Sequence, residues 1–303
     1  MTRQLLLSTV ALIMVSCSNI NPFFGEWYTP YGIPPFEKIH EKDYIHAVKF
    51  GIHQQAAEVD AIIARDAEPT FENTIAAYEY SGQLLDRVTG VLFNLSESDA
   101  SPSLQKIVGK VIPLLTEHSD NIFMNPYFFE RVKTVYDGRE EAGLTSEQIR
   151  LTEKLYRRFI ANGVSLDEQG QARMREINGE LAALEQALEA EAAGISVRDA
   201  ARLKGLAEDD VVPGGPWLFT LQNPSYVPFM TYSANRDLRE KMFRAYSSRG
   251  NNGNDRDNKD IVLKIMSLRI EKARLLGYET PAEFILSDKM AGTSKAVDSF
   301  LDR

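Results

Sequence analysis

Apolar residues recur every three or four positions along most of this chain, the spacing of helices that each bury one face. The first such run carries Tyr44, Ala47, Val48, Ile52, Ala56, Val59, Ile62 and Ile63 on one side, and Pro69 closes it. Thr70 stands where an N-cap is expected, and Ile75, Tyr78, Leu84, Leu85, Val88 and Leu92 predict one helix from Phe71 to about Leu95. Ser101 followed by Pro102 predicts another start, with Pro113 expected to kink the helix it opens. Thr145-Ser-Glu-Gln148 and Thr280-Pro-Ala-Glu283 have the form of capping boxes, the first opening a helix through Ile160. Asp167 opens a long helix through Met174, Ile177, Leu181, Leu184 and Leu188. Strand character, aromatic and branched, is confined to Pro216–Leu221 and to Tyr226–Tyr232, where Pro224 and Pro228 limit it. The fold class is therefore mainly α, a multi-helix bundle with at most a small β element near 216–232.

One polar stretch interrupts the periodicity. Arg244–Asp260, "RAYSSRGNNGNDRDNKD", is dense enough in Asn, Asp and Gly to raise a calcium loop. Counted from Asp255, however, Lys259 falls on a ligand position, Asp260 on the glycine position, and Glu271 lies too far along to close the site. The stretch reads instead as a turn: Gly250 and Gly253 permit positive φ, and Asn254 or Asp255 caps a helix from Ile261 to Leu276 that stops at Gly277.

Composition adds limits. The chain has 303 residues, 44% hydrophobic and 25% charged, which suits globular cores and excludes a disordered or fibrous polymer. A net charge of -9 and the lack of a basic run argue against a nucleic-acid partner. Arg3 precedes the apolar run Leu5–Val15, which has signal-peptide length and is too short to span a bilayer. It ends at Cys17, the one cysteine of the chain, which cannot form an internal disulfide. The context of Cys17 resembles the lipobox of bacterial lipoproteins, with Met14 where Leu is usual. That resemblance implies lipidation at Cys17, an exported protein that is periplasmic or anchored to the outer membrane, and a membrane contact through the lipid. A chance cysteine ending an ordinary signal is the alternative. The expected organisation is a signal at 1–17, a helical domain over 18–210 and the start of a second lobe over 211–303, with the turn-rich Val211–Pro216 as the seam. Ser294–Arg303 begins like an amphipathic helix and shows no stop signal, so the second lobe is expected to be incomplete.

Candidate chemistry is sparse. The four histidines, His40, His46, His53 and His118, include no pair four residues apart, and Tyr44 stands where a zinc helix begun at His40 would place its second ligand. His46 and His53, seven apart, could share a helix face but form no closed site. No phosphate loop, no G-x-S-x-G elbow and no usable cysteine nucleophile is found. No catalytic or metal residue is assigned, and no substrate-binding residue is identified.

Several strings do carry a resemblance. They are Pro35-Phe-Glu-Lys-Ile39, Asp43-Tyr44, Glu68–Ile75 with "PTFENTI", Leu114–Asp120, Trp217–Leu221, Asn223–Tyr226, Pro228-Phe229 and Arg249–Asn254, "RGNNGN". Together they resemble the N-terminal half of bacterial peptidyl-dipeptidases of the thimet oligopeptidase family of zinc metallopeptidases. The likeness runs from about Asn21 to Arg303, although the stretch between Leu188 and Trp217 is shorter than usual in that family. It implies an elongated helical protein with a channel between two lobes, and short peptides as substrates that lose a dipeptide from the C-terminus. It also implies zinc held by an H-E-x-x-H helix and a downstream Glu in the C-terminal part. None of those ligands matches a position here, so no zinc is expected on this chain and no activity from it alone. A non-catalytic helical binding or scaffold lipoprotein is the alternative.

Overall fold

Capping residues set the helix starts. In the computed structural model, which describes residues 21–98, 101–188, 194–197, 217–254 and 256–303, and of 194–197 and 217–218 the backbone alone, the chain divides into two units, 1–156 and 157–303. Cys17, the signal 1–17 and the seam 211–216 lie outside the described residues, as does nearly all of the shortened stretch after Leu188. The described residues are mainly helical, with one two-stranded sheet.

The first unit begins with an arm fixed at its root. Phe23 is fully buried against Tyr44 at 5.3 Å between ring centroids, and Asn21 Nδ2 donates to the Asp43 carbonyl at 2.7 Å. Beyond the root Tyr28 and Tyr31 are exposed. Helix α1, Glu41–Ile63, starts at His40, whose backbone N–H donates to Asp43 Oδ2 at 2.8 Å. It packs on α3, Gln83–Ser98, and α4, Pro102–Phe123. Their shared core holds Phe23, Tyr44, Ala47, Val48, Val88, Leu92 and Val111, each worth about 1–3 kcal/mol by the apolar surface it removes from water. Ser101 caps α4 as expected, its Oγ accepting from the Leu104 N–H at 3.0 Å, and Pro113 lies inside the helix without ending it.

The single helix expected over Phe71–Leu95 is instead broken. Thr70 does cap its start, with Thr70 Oγ1 accepting from the Asn73 N–H at 3.1 Å and Asn73 Oδ1 accepting from the Thr70 N–H at 2.9 Å. A π-helical segment, Phe71–Ala76, then runs into the single turn α2, Ala77–Glu79, and the helix stops before α3. The cause is at Gly82, held at φ +72°, whose N–H donates to Glu58 Oε2 at 2.7 Å on α1 rather than up its own helix. Helix α5, Pro126–Asp137, follows, and α6, Ser146–Ala161, opens on the predicted capping box between Thr145 and Gln148. Arg139, Tyr136 and Tyr156 form a stack that joins the two, with the rings 4.0 Å apart and the guanidinium 3.9 Å from Tyr136.

In the second unit α7, Glu168–Ala187, is capped by Asp167, whose Oδ1 accepts from the Gly170 N–H at 2.8 Å. Strands β1, Gly194–Val197, and β2, Trp217–Thr220, pair antiparallel with Gly194 opposite Thr220 and Val197 opposite Trp217. The strand over 217–220 was expected; Tyr226–Tyr232 is not a strand but part of α8, Asn223–Tyr232. Pro224 sits in the first turn, where no intrahelical N–H is needed, and one turn on the helix buries Phe229 against Phe219 at 4.7 Å. Leu238 and Met242 of α9, Arg236–Ser247, complete that small core.

Helix α10, Lys259–Leu275, packs on α7. Arg173 forks onto Glu271, with Nε to Oε1 at 2.7 Å and Nη2 to Oε2 at 2.9 Å. This pairing pulls the Glu271 carboxyl below its ordinary pKa and raises Arg173 further. Helices α11, Pro281–Leu286, and α12, Ser294–Leu301, end the chain, the first on the predicted Thr280–Glu283 capping box. No helix among the described residues is long and apolar enough to cross a membrane.

Candidate functional site

The Asn-Gly loop between α9 and α10 closes on itself. The Asn258 N–H donates to the Gly250 carbonyl at 2.8 Å, and Gly250 has φ +67°. A Cβ at Gly250 would lie 2.8 Å from Asn258 Nδ2, so both the left-handed backbone and the close approach require glycine. Asp257 organises the rest: Oδ2 accepts from the Gly253 N–H at 2.7 Å and from Lys259 Nζ at 2.5 Å, and Oδ1 accepts from the Lys259 N–H at 3.1 Å. Lys259 Nζ also donates to Asn251 Oδ1 at 2.9 Å. The Lys259 side chain, followed by the backbone N–H groups of Lys259 and Gly253, draws the Asp257 carboxyl down to about 2.

A lysine thus sits among the loop oxygens where a bound cation would have to stand, and the loop is a clasp held by an internal ion pair. The residue expected to cap α10 was Asn254 or Asp255. Asp255 lies outside the described residues, and the N-cap is Asn258, with Asp257 accepting from the first helical N–H at Lys259, two residues before the expected start at Ile261. The clasp is braced from α9, where Arg249 lies 3.8 Å over Tyr246 and Tyr246 stacks at 3.9 Å on Tyr226 of α8.

The histidines are scattered. His40 caps α1, His46 meets Phe24 edge-on at 5.3 Å, and His53 lines a groove between α1 and α4 of about 470 Å³. His118 lies in the same groove and is buried, with Nε2 donating to Gln55 Oε1 at 2.8 Å. Gln55 Nε2 donates onward to Ser81 Oγ at 3.3 Å, which itself donates to the Tyr78 carbonyl at 2.7 Å. Burial pushes His118 below its ordinary pKa. Val59 and Ile122 form apolar wall, while Lys49, Asp60 and Glu117 bring charges of both signs to the groove.

This groove can hold a small polar ligand edge, but it presents no nucleophile with a base beside it. Sequence reasoning missed the His118–Gln55–Ser81 chain because its members are 63 and 26 positions apart. Among the described residues no group of three or more His, Cys, Asp or Glu gathers as metal ligands would. The zinc that the resemblance implies therefore finds no fitting donor set in them, and no step is routed through it.

Comparison with known proteins finds a family profile that matches across the clasp. Residues 229–303, from the middle of α8 through α12, match the profile of Peptidase family M3. Dipeptidyl carboxypeptidase of Escherichia coli is 32% identical over 300 residues, 94% of this chain and 44% of the relative. Both matches make the chain similar to members of peptidase family M3. Oligopeptidase A of Escherichia coli is 31% identical over 294 residues, 90% of this chain and 43% of that protein. The organellar oligopeptidase A of Arabidopsis thaliana is 26% identical over 293 residues, 88% of this chain and 36% of that protein. The chain thus spans less than half the length of these relatives, and the M3 match covers both the clasp and α10.

Proposed function

We propose that this chain is a portion of an exported, lipid-anchored zinc metallopeptidase that releases dipeptides from the C-terminus of short peptides. The observation that carries the reading is the 32% identity to a dipeptidyl carboxypeptidase along 94% of the chain. Zinc and the catalytic residues belong, in this reading, to the part of the family length that these residues do not span. The chain supplies helical wall, closed by the 249–259 clasp, and is inactive by itself.

The test uses residues 18–303 purified alone and mixed with a separately expressed polypeptide. That polypeptide is the part of the Escherichia coli dipeptidyl carboxypeptidase to which this chain does not align. Metal is measured after dialysis, and release of a C-terminal dipeptide from a blocked short peptide is followed. The expected result is no stoichiometric zinc and no cleavage from the chain alone, with chelator-sensitive cleavage in the mixture. One zinc per chain together with chelator-sensitive cleavage by the chain alone would refute the reading. No cleavage by either, with a stable helical chain, would favour the non-catalytic scaffold instead.

A further inference from the structure

Helix α10 is apolar on two sides. One side buries Ile265 and Leu268 and is tied to α7 through Arg173–Glu271 and Lys264–Glu180. The other carries Val262, Leu263 and Met266, which are 47%, 67% and 50% exposed, and half-buried Ile270 continues the stripe one turn on. A helix with one neighbour has one apolar stripe and a polar back; a helix apolar on both sides is built to be sandwiched between two layers. Beside the stripe runs a groove of about 570 Å³ lined by Ser267, Ile270, Glu271, Arg274 and Leu275, a shape that receives side chains from an apposed segment.

Two facts bear on what covers it. The whole of α10 lies in the stretch that matches the family profile, and the chain spans only 44% of the length of its dipeptidyl carboxypeptidase relative. We infer that the Val262–Leu263–Met266 face of α10 is the docking surface for the portion of a family-length peptidase that these residues do not span. The arriving segment is apolar, inserts between the stripe and the groove, and places an acidic group near Arg274 at the groove wall. This inference rests on the reading of the chain as part of a peptidase. The stripe accounts for apolar positions that a solvated helix would not keep.

The test keeps the full chain and changes one exposed residue at a time, Leu263→Glu and Met266→Glu, with Tyr80→Glu in the other unit as a control that is 75% exposed. Circular dichroism confirms the fold of each variant. Affinity for the separately expressed remainder of the Escherichia coli relative is measured by titration, and peptide hydrolysis is read in the same samples. Each α10 variant should weaken binding at least about tenfold and lower recovered hydrolysis in parallel, while Tyr80→Glu changes neither. Equal binding by all variants, absence of binding by the unmodified chain, or dimerisation of the chain through this face would each overturn the inference. The peptidase reading fails separately: binding lost in the variants, with no hydrolysis from the unmodified complex, would leave the docking face standing and remove the enzyme.

Discussion

Replacing Gly82 with alanine tests the junction that breaks the helix between α2 and α3. The added Cβ would lie 2.3 Å from Gln55 Nε2 and 2.5 Å from Gln55 Cδ, so Gln55 has to leave. When it leaves, the buried His118 Nε2 loses its acceptor and Ser81 Oγ loses a donor. An unpaired buried polar group costs about 1–3 kcal/mol. The left-handed backbone at φ +72° adds about 1–2 kcal/mol for a residue with a Cβ. The stiffer unfolded chain returns about 0.4–1 kcal/mol. Together Gly82→Ala is expected to destabilise the first unit by about 1–5 kcal/mol. In a Gln55→Ala background the obstruction is absent and His118 is already unpaired, so the same change should cost only about 1 kcal/mol. Urea unfolding of the four proteins of this cycle, followed by far-ultraviolet circular dichroism, reads both numbers. An equal cost of Gly82→Ala in the two backgrounds would show that Gln55 is not the obstacle at Gly82.

Three further outcomes follow from other parts of the chain. Burial depresses the folded pKa of His118 below the ordinary 6.5, so the unfolded chain binds more protons below that pH; stability is full above it and falls as pH drops toward the folded value. Thermal melts from about pH 7.5 to about pH 5.5 should show this fall, and His118→Gln should flatten it; an unchanged slope in the variant would remove His118 as the cause. The Asp257 carboxyl is held down at about 2, so its contribution to the clasp is present above its ordinary value of 3.8 and is lost as pH falls through about 2. A carbon-detected NMR titration should find that low midpoint in the folded chain, and Lys259→Met should return it toward 3.8; a midpoint that Lys259→Met leaves unmoved would contradict the internal ion pair. Cys17→Ala should move the protein from the membrane fraction to the soluble one, and unchanged fractionation would end the lipid-anchor proposal.

The helix starts were legible because their causes are local. Thr70, Ser101, Thr145, Asp167 and Thr280 each accept from an N–H three residues on, and a spacing of three is visible in a string of letters. The break before α3 was not, since Gly82 is held by Glu58, 24 positions earlier. Tyr226–Tyr232 misled for a related reason: aromatic and branched residues suit a strand, but Pro224 favours a first helical turn, and burial of Phe229 against Phe219 decides in favour of the helix. The calcium reading of the Asn-Gly loop failed on Lys259 in the sequence, and the structure shows why that position matters, because its ammonium fills the loop. The α10 stripe was readable as periodicity, yet only the structure shows which side α7 leaves uncovered.

Removal of a dipeptide from the C-terminus makes the substrate's free carboxylate the group to vary. The chain is combined with the remainder of its Escherichia coli relative, and the complex is offered one blocked tetrapeptide as the free acid and as the C-terminal amide. The acid is expected to lose its last two residues as a dipeptide in a chelator-sensitive reaction, and the amide to be left intact. Cleavage of both peptides at the same rate, or a complex that forms and cleaves neither, would contradict this.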